Sequence, residues 1–469
     1  MPKNPPQFDV RPDFLGSATF RAQHGTVGKF ECGFFLPKSE VAKIWVLVRV
    51  GSPSDSPIVL CWRFSCELTA GVDVLVGEEI FHSGYTQWDW GNGAENTLVG
   101  EVTRLTVKRG DVFCSAISKT RFVITPSALL RSADIVSEQD GKLVIRQVAR
   151  KGPICSASPD IAFRFGCAYR RGASGKLESS VECELVEPAQ MRDPNRVHSL
   201  LQDVLAVASF AERRVLMVTG WTVWYVNGAT TAYYRRDFTA PPQEEADVDN
   251  TLISLRDIEE FVNGSLQRFR SLPDTGALKQ AIYFALHGQA LGIGDSFVML
   301  FAGIETLLNI FQSVKDGDPP VPADQWEPLF DSISATLGTQ GTFLNLPNNS
   351  KARLLDNIHG ANHAFFSGRF ERMCSSQKID LTDLWPMLGG KSSLYAVRNR
   401  IVHGRVFSSE EEWFRVISSK FHLLWTLERS ILCILGWPVE RSRSSKQSLS
   451  QMTLYSTWRQ DREYFATAK

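Results

Sequence analysis

The apolar residues change their periodicity along this 469-residue chain, which divides it into a β-rich half and a helical half. Up to about residue 186, short β-branched or aromatic segments are separated by Gly, Pro, Asp and Ser at short intervals. This spacing is typical of a β-sandwich or a distorted barrel. From about residue 250 the apolar residues recur at i, i+3, i+4 and i+7, which predicts helices. The expected fold class is α+β multidomain: an N-terminal β-sandwich or barrel-like domain followed by an all-α bundle.

The domain boundaries are predicted from the positions where the pattern changes. Helical spacing begins at Asp193, and Asn227-Gly228 between two aromatic segments predicts a hairpin. We therefore expect a β-rich domain over 1–186, a connecting helix and hairpin over 187–249, a helical domain over 250–437 and a mobile or peripherally docked tail over 438–469.

The charge and the cysteines exclude several classes of protein. The 51 Lys+Arg and 51 Asp+Glu give a formal net charge of +0, so any RNA binding must use a local patch. The nine cysteines form no CxxC pair and no zinc-type Cys/His spacing. They are interpreted as free thiols, mostly buried, in a reducing compartment. We expect neither a metal nor a cofactor.

The apolar segments predict a protein that is not a membrane protein. The first six residues contain no apolar signal core, and 44–48 is an apolar run of strand length rather than of transmembrane length. The expected location is the cytoplasm.

Six residues near the C-terminal end, Arg398-Asn399-Arg400-Ile401-Val402-His403, contain the strongest functional signal. A helix is predicted from Ser392 or Ser393 to Val402, with Gly404 as its stop signal. Asn399 and His403 are four residues apart and share a face. A guanidinium can hold a phosphate, and a histidine can take a proton from a ribose 2′-hydroxyl. The motif could therefore cleave RNA without a metal, although a solvated surface pair or a histidine capping the last carbonyls is also compatible with it.

A second helix, predicted over 295–311, is strongly apolar and therefore buried on most sides. It carries a lone carboxylate, Glu305. Such a carboxylate either forms a structural ion pair with an arginine or has a pKa adjusted for a role in a functional site. We favour the structural pairing.

With the Arg-x4-His motif and this upstream helix, residues 250–437 resemble the HEPN superfamily, specifically the Apea-like HEPN group. The order of a β-rich half and such a domain also resembles ApeA-type antiphage proteins. The resemblance implies a dimerising helical bundle in which two motif helices form a composite site. It also implies metal-independent RNA cleavage that leaves a 2′,3′-cyclic phosphate and a 5′-hydroxyl.

Under this resemblance each residue of the motif has an expected role. His403 is the acid/base group, Arg398 binds the scissile phosphate, and Asn399 orients His403 or the RNA. Arg400 and Glu305 are further substrate-binding candidates. The substrate is RNA, with tRNA as one candidate. The β-rich half is expected to sense a phage-derived trigger or to restrain the ribonuclease.

Two other functional classes remain open. The helical half could be a non-catalytic HEPN-like module for dimerisation or nucleotide binding, with a β domain that binds a protein or ligand. Alternatively, Trp88 and Trp90 could bind a carbohydrate. We favour packing for these two side chains.

Overall fold

The computed structural model describes residues 11–22, 25–36, 43–50, 63–70, 73–112, 115–139, 142–171, 177–187, 193–236, 250–311, 323–340, 345–360, 366–403 and 409–467. It divides into two compact units, 1–263 and 264–469, and each is described by itself. The first is built mainly from β-strands and the second from helices. The predicted order of a barrel-like β domain and a helical region is confirmed.

The described strands are β1 (Phe14–Ala22), β2 (Gly25–Phe35), β3 (Ile44–Arg49), β4 (Arg63–Ala70), β5 (Asp73–Asp89), β6 (Ala94–Arg109), β7 (Ile117–Ile124), β8 (Ala133–Gln139), β9 (Lys142–Arg150), β10 (Ile154–Ser158), β11 (Ile161–Arg171), β12 (Leu177–Leu185), β13 (Val218–Tyr225) and β14 (Thr230–Arg235). Among them β8 and β9 form a separate two-stranded ribbon. The other strands belong to one antiparallel sheet.

Six of these strands close into an antiparallel barrel in the order β6-β3-β2-β1-β4-β5, with β5 pairing back to β6. Closure depends on the length of β6. One edge of this strand pairs with β5, while the other pairs with β3 over 97–102 and with β14 over 104–109. The sheet therefore continues beyond the barrel as β14-β13-β7-β12-β11-β10.

The hairpin predicted to connect the two halves is part of this sheet. Its strands are β13 and β14, which pair with β7 and β6. The helix that precedes it, α1 (Pro194–Glu212), is capped by Asp193, whose side chain accepts from the Asn195 N–H. The chain therefore reaches the last two strands of the sheet only after completing a helix.

The interior of the barrel is filled by side chains, as expected for a closed sheet of few strands. Phe20, Phe34 and Phe64 are buried in this core. A Cβ on Gly100 would lie 2.7 Å from Ile80 Cγ2 and 2.9 Å from Val46 Cγ1. The strand can therefore approach its neighbours this closely only because it has a glycine here.

The two tryptophans considered for carbohydrate binding pack against the barrel. Trp88 lies at the end of β5 and meets Phe35 edge to face, with ring centroids 6.1 Å apart. Trp90 donates from Nε1 to Thr97 Oγ1 at 3.0 Å. Both are partly buried beside Leu47. The prediction that they pack is confirmed.

The described helices of the second half are α2 (Ile258–Ser271), α3 (Thr275–Ala290), α4 (Ile293–Ile310), α5 (Ala323–Thr339), α6 (Asn348–Gly360), α7 (Phe366–Ser376), α8 (Leu394–Val402), α9 (Glu410–Ile434), α10 (Lys446–Leu449), α11 (Thr453–Ser456) and α12 (Trp458–Thr467). A 3-10 turn over Val439–Arg441 follows α9.

The centre of the helical unit is α4, which packs against α3, α7, α8 and α9. A Cβ on Gly303 would lie 2.7 Å from Leu427 Cδ2, so α4 and α9 approach closely there. The helix is less enclosed than predicted, because Val298, Glu305 and Asn309 form an exposed stripe.

The same helix, α4, also has the length and composition of a membrane span, which the sequence analysis did not anticipate; no other described helix does. Half of it is buried within the protein. Its packing against four other helices is that of a core helix.

The C-terminal segment, predicted to be a mobile or peripherally docked tail, is docked, and several of its apolar side chains are buried rather than peripheral. Leu449 packs with Leu384 and Trp425. The rings of Trp458 and Phe465 lie 6.5 and 5.8 Å from the ring of Trp385. The segment therefore contributes to the core of the helical unit.

Seven of the nine cysteines lie in the described part of the chain, and all seven are free. Four are buried and three are half-buried. Burial raises the pKa of Cys32 to about 12 and those of Cys374 and Cys433 to about 11. These thiols are poor nucleophiles at neutral pH.

His422 in α9 is fully buried and is held as a neutral imidazole. The Trp385 N–H donates to its Nδ1 at 3.1 Å, and its Nε2 lies 3.2 Å from the Leu454 carbonyl oxygen. Only a proton on Nε2 satisfies that carbonyl. Burial lowers the pKa of His422 to about 4.

We expect the folded protein to lose stability as the pH falls from about 6.5 towards 4. In that range the unfolded chain binds a proton at His422 and the folded chain does not. Linkage gives a loss of up to about 3 kcal/mol from this group. Urea unfolding of the wild type and His422→Gln at both ends of the range measures it. The variant should depend less on pH, and equal dependence in the two proteins would refute the assignment.

Candidate active site

The motif helix α8 forms for local reasons. Ser393 caps it, because its Oγ accepts from the Ala396 N–H at 3.2 Å. Leu394 and Val397 are buried and face the core. The helix ends at Val402, and the backbone N–H of His403 donates to the Asn399 carbonyl at 3.0 Å. The predicted start and end are confirmed, while the predicted stop residue 404 lies outside the described residues.

Arg398 is a half-buried cation. Its guanidinium lies 5.5 Å from the ring centroid of Phe301 on α4. Nη1 donates to Asn399 Oδ1 at 3.0 Å, while the buried Nε–H has no hydrogen-bond acceptor among the described residues. No ion pair joins this arginine to another described residue. A cation placed in this way attracts an anion, since a partly buried charge is costly when it is unpaired.

His403 is exposed at the end of the helix. Its imidazole makes no hydrogen bond to another residue in the described part of the chain. Asn399, which was expected to orient it, instead uses its side-chain oxygen to accept from Arg398. The observed role of the Asn399 side chain is therefore to hold the Arg398 guanidinium in place.

Arg400, predicted to bind substrate, is used within the fold. Its Nη2 donates to the Phe465 carbonyl of α12 at 3.1 Å, and its guanidinium lies 5.8 Å from the Phe465 ring. These two contacts favour a structural role, because they fix the motif helix to the last helix of the chain.

The last helix, α12, also holds the segments on either side of the motif. Arg462 Nε donates to Ser392 Oγ at 3.1 Å, just before α8. Tyr464 donates from its hydroxyl to Glu412 Oε1 at 2.7 Å, in the first turn of α9. This role of the C-terminal segment was not predicted from the sequence. The short amphipathic pattern around Trp458 and Phe465 was the available signal.

Glu305 is exposed on α4, one turn after Phe301. Its expected pairing with an arginine is not seen, because it forms neither an ion pair nor a hydrogen bond with another described residue. The carboxylate is therefore exposed to solvent, one helical turn from the Phe301 ring that Arg398 covers.

An aromatic surface next to Arg398 was also not predicted. Tyr395, one turn before Arg398, is 38% exposed. Its ring stacks on Phe366 at 5.3 Å and lies 5.8 Å from Phe301. An exposed ring beside a guanidinium is an arrangement on which a nucleobase can stack.

Comparisons with models of protein families, with curated proteins and with solved structures found no match. The residues of the site are therefore judged by their own chemistry. Together they offer an exposed imidazole, a half-buried arginine that has no ion-pair partner among the described residues, and an aromatic surface.

Proposed function

We propose that this protein is a metal-independent endoribonuclease of the HEPN type. The observation that supports this most is the pairing, on one short helix, of an exposed His403 with a half-buried and uncompensated Arg398. A structural arginine would be expected to have a carboxylate partner, and a structural histidine would be expected to have a hydrogen bond. Neither is present among the described residues.

The proposed reaction follows from these two groups. His403 accepts the proton of a ribose 2′-hydroxyl, and the 2′-oxygen attacks the adjacent phosphorus. The bond from phosphorus to the 5′-oxygen breaks, which leaves a 2′,3′-cyclic phosphate and a 5′-hydroxyl. Arg398 stabilises the charge that develops on the phosphoryl oxygens. The leaving oxygen takes its proton from water, or from the same histidine of a second copy of the chain.

The wider setting belongs to the same proposal. A homodimer through the helical unit would bring two motifs together, and the location would be the cytoplasm. The β-barrel unit would sense a phage-derived trigger or restrain the enzyme, and tRNA is one candidate substrate. The exposed apolar side chains of Tyr395 and Val402 on α8 support a contact on this face.

The experiment that tests the proposal is cleavage of total RNA by the purified full chain in excess EDTA, with chemical identification of the new ends. We expect 5′-hydroxyl and cyclic phosphate ends from the wild type. Arg398→Gln should lose this activity, whereas Arg353→Gln, an exposed arginine on α6, should retain it. Products with 5′-phosphate ends, or equal activity of the two variants, would reject the mechanism. A chain that folds and dimerises but never cuts would point to a binding module.

A further inference from the structure

A cleft of about 570 Å³ opens between the end of α4 and helix α7. Its lining includes the apolar side chains of Leu308, Phe311 and Met373 and two arginines, Arg369 and Arg372. The cleft is not part of the motif described above. Its combination of apolar side chains and cations suits a ligand that carries both rings and negative charge.

Arg369 resembles Arg398 in its surroundings. Its Nη2 donates to Asn309 Oδ1 at 2.6 Å, and its buried Nε–H has no hydrogen-bond acceptor. It forms no ion pair with a described residue, although Glu371 also lines the cleft. Arg372, one turn further along α7, is exposed and equally unpaired within the described residues. Among the described residues that line the cleft there are therefore two cations and one carboxylate.

Arg398 and Arg369 have no ion-pair partner among the described residues, and each contacts a side chain of α4. Arg398 covers Phe301, and Arg369 holds Asn309, eight residues further along α4. Eight residues correspond to about 12 Å of helix axis. A stacked nucleic-acid strand rises about 3.4 Å per nucleotide, so this distance spans roughly three to four nucleotides.

Aromatic rings fill the space between α4, α7 and α8. Phe366 on α7 stacks on Tyr395 of α8, and its ring centroid is 5.2 Å from that of Phe301. The exposed ring of Tyr395 therefore sits on a rigid support. Aromatic rings combined with arginines suit single strands, whose unstacked bases can reach a protein ring.

We propose that the cleft at Arg369 is a second phosphate-binding subsite for single-stranded RNA, which holds the strand a few nucleotides away from the phosphate at Arg398. The inference rests on the proposed function, because it takes Arg398 as the position of the scissile phosphate. It names the form of RNA that the site accepts: a single strand long enough to cover both arginines.

Glu305 allows a test of the subsite in which the affinity for RNA should increase. This exposed carboxylate lies on α4 one helical turn from both Phe301, which contacts Arg398, and Asn309, which accepts from Arg369. It repels a phosphate that passes over it. Removing its charge should therefore tighten RNA binding, which a variant that merely damages the fold cannot do.

The test measures binding in the full-length His403→Ala background, so that the RNA is not cut. The probe is a fluorescein-labelled single-stranded RNA of mixed sequence, about 20 nucleotides long and thus longer than a typical single-strand site. We expect Arg369→Gln to raise the Kd about five- to tenfold at low salt and to reduce the slope of log K against log salt by about 0.7. Glu305→Gln should lower the Kd about threefold.

A control variant separates the charge of Arg369 from a general loss of positive charge. Arg353→Gln removes an exposed arginine elsewhere on the helical unit. It should bind within about twofold of the parent. If the effect of Arg369→Gln equals that of Arg353→Gln while the wild type still cuts RNA, the subsite is refuted and the ribonuclease proposal stands. If the parent binds no RNA and the wild type cuts none, both fail.

Discussion

Replacing His403 with alanine is expected to lower the rate of RNA cleavage by about 10²–10⁴-fold, the usual contribution of a general acid or base. The fold should not change, because the imidazole is exposed and only the backbone N–H of this residue is used in capping α8. The rate is measured with the purified full chain at a fixed RNA concentration.

A matched variant, His287→Ala, removes a half-buried imidazole from α3, where it lies 4.0 Å from the ring of Tyr283. It should keep the wild-type rate. Cleavage by His403→Ala at the wild-type rate, with an unchanged circular dichroism spectrum, would show that this histidine is not the acid/base group.

Replacing Asp383 with alanine is expected to destabilise the helical unit by about 3–5 kcal/mol, as when one partner of a buried ion pair is removed. Arg429 is 3% exposed and donates to both carboxylate oxygens of Asp383, at 2.5 and 2.9 Å. Tyr455 donates to the same carboxylate at 2.6 Å. Burial alone would raise the pKa of Asp383, but the hydrogen bonds from Arg429 and Tyr455 outweigh it and hold the pKa below its usual value.

The free energy of unfolding in urea at neutral pH measures this loss. Glu411→Ala is the matched control, because it breaks an ion pair to Arg415 in which Glu411 is 74% exposed. That change should cost at most about 1 kcal/mol. An equally small effect of Asp383→Ala would mean that the backbone carbonyls of Ser444 and Asp380, which also accept from Arg429, suffice to hold it.

The motif helix could be predicted because its determinants are local. Ser393, Leu394 and Val397 define its start and its buried face within five residues, and the structure has both as expected. The exposure of His403 also follows from its place at the end of this helix.

The sheet topology could not be predicted, because strand pairing depends on contacts far apart in the sequence. The hairpin at Asn227-Gly228 was identified from its turn, yet its partners are β7 and β6, roughly a hundred residues earlier. Nothing in the hairpin itself indicates these neighbours. It was therefore interpreted as a connection between domains.

The roles of the arginines could not be separated by sequence either. Arg398 and Arg400 are two residues apart, but only the guanidinium of Arg400 meets Phe465, 65 residues further along the chain. Arg369 was not among the predicted site residues, because the residues of α7 are polar on average. A clue was available in the sequence, where Phe366 and Phe370 recur at helical spacing beside Arg369 and Arg372.

The measurement that tests the ribonuclease proposal most directly is the sequencing of RNA 5′-hydroxyl ends in cells. Wild type and His403→Ala would be expressed under tight induction and challenged with phage. The proposal predicts discrete new ends that are absent with His403→Ala, together with loss of toxicity or protection in that variant. Identical ends and phenotypes from two folded proteins would contradict it.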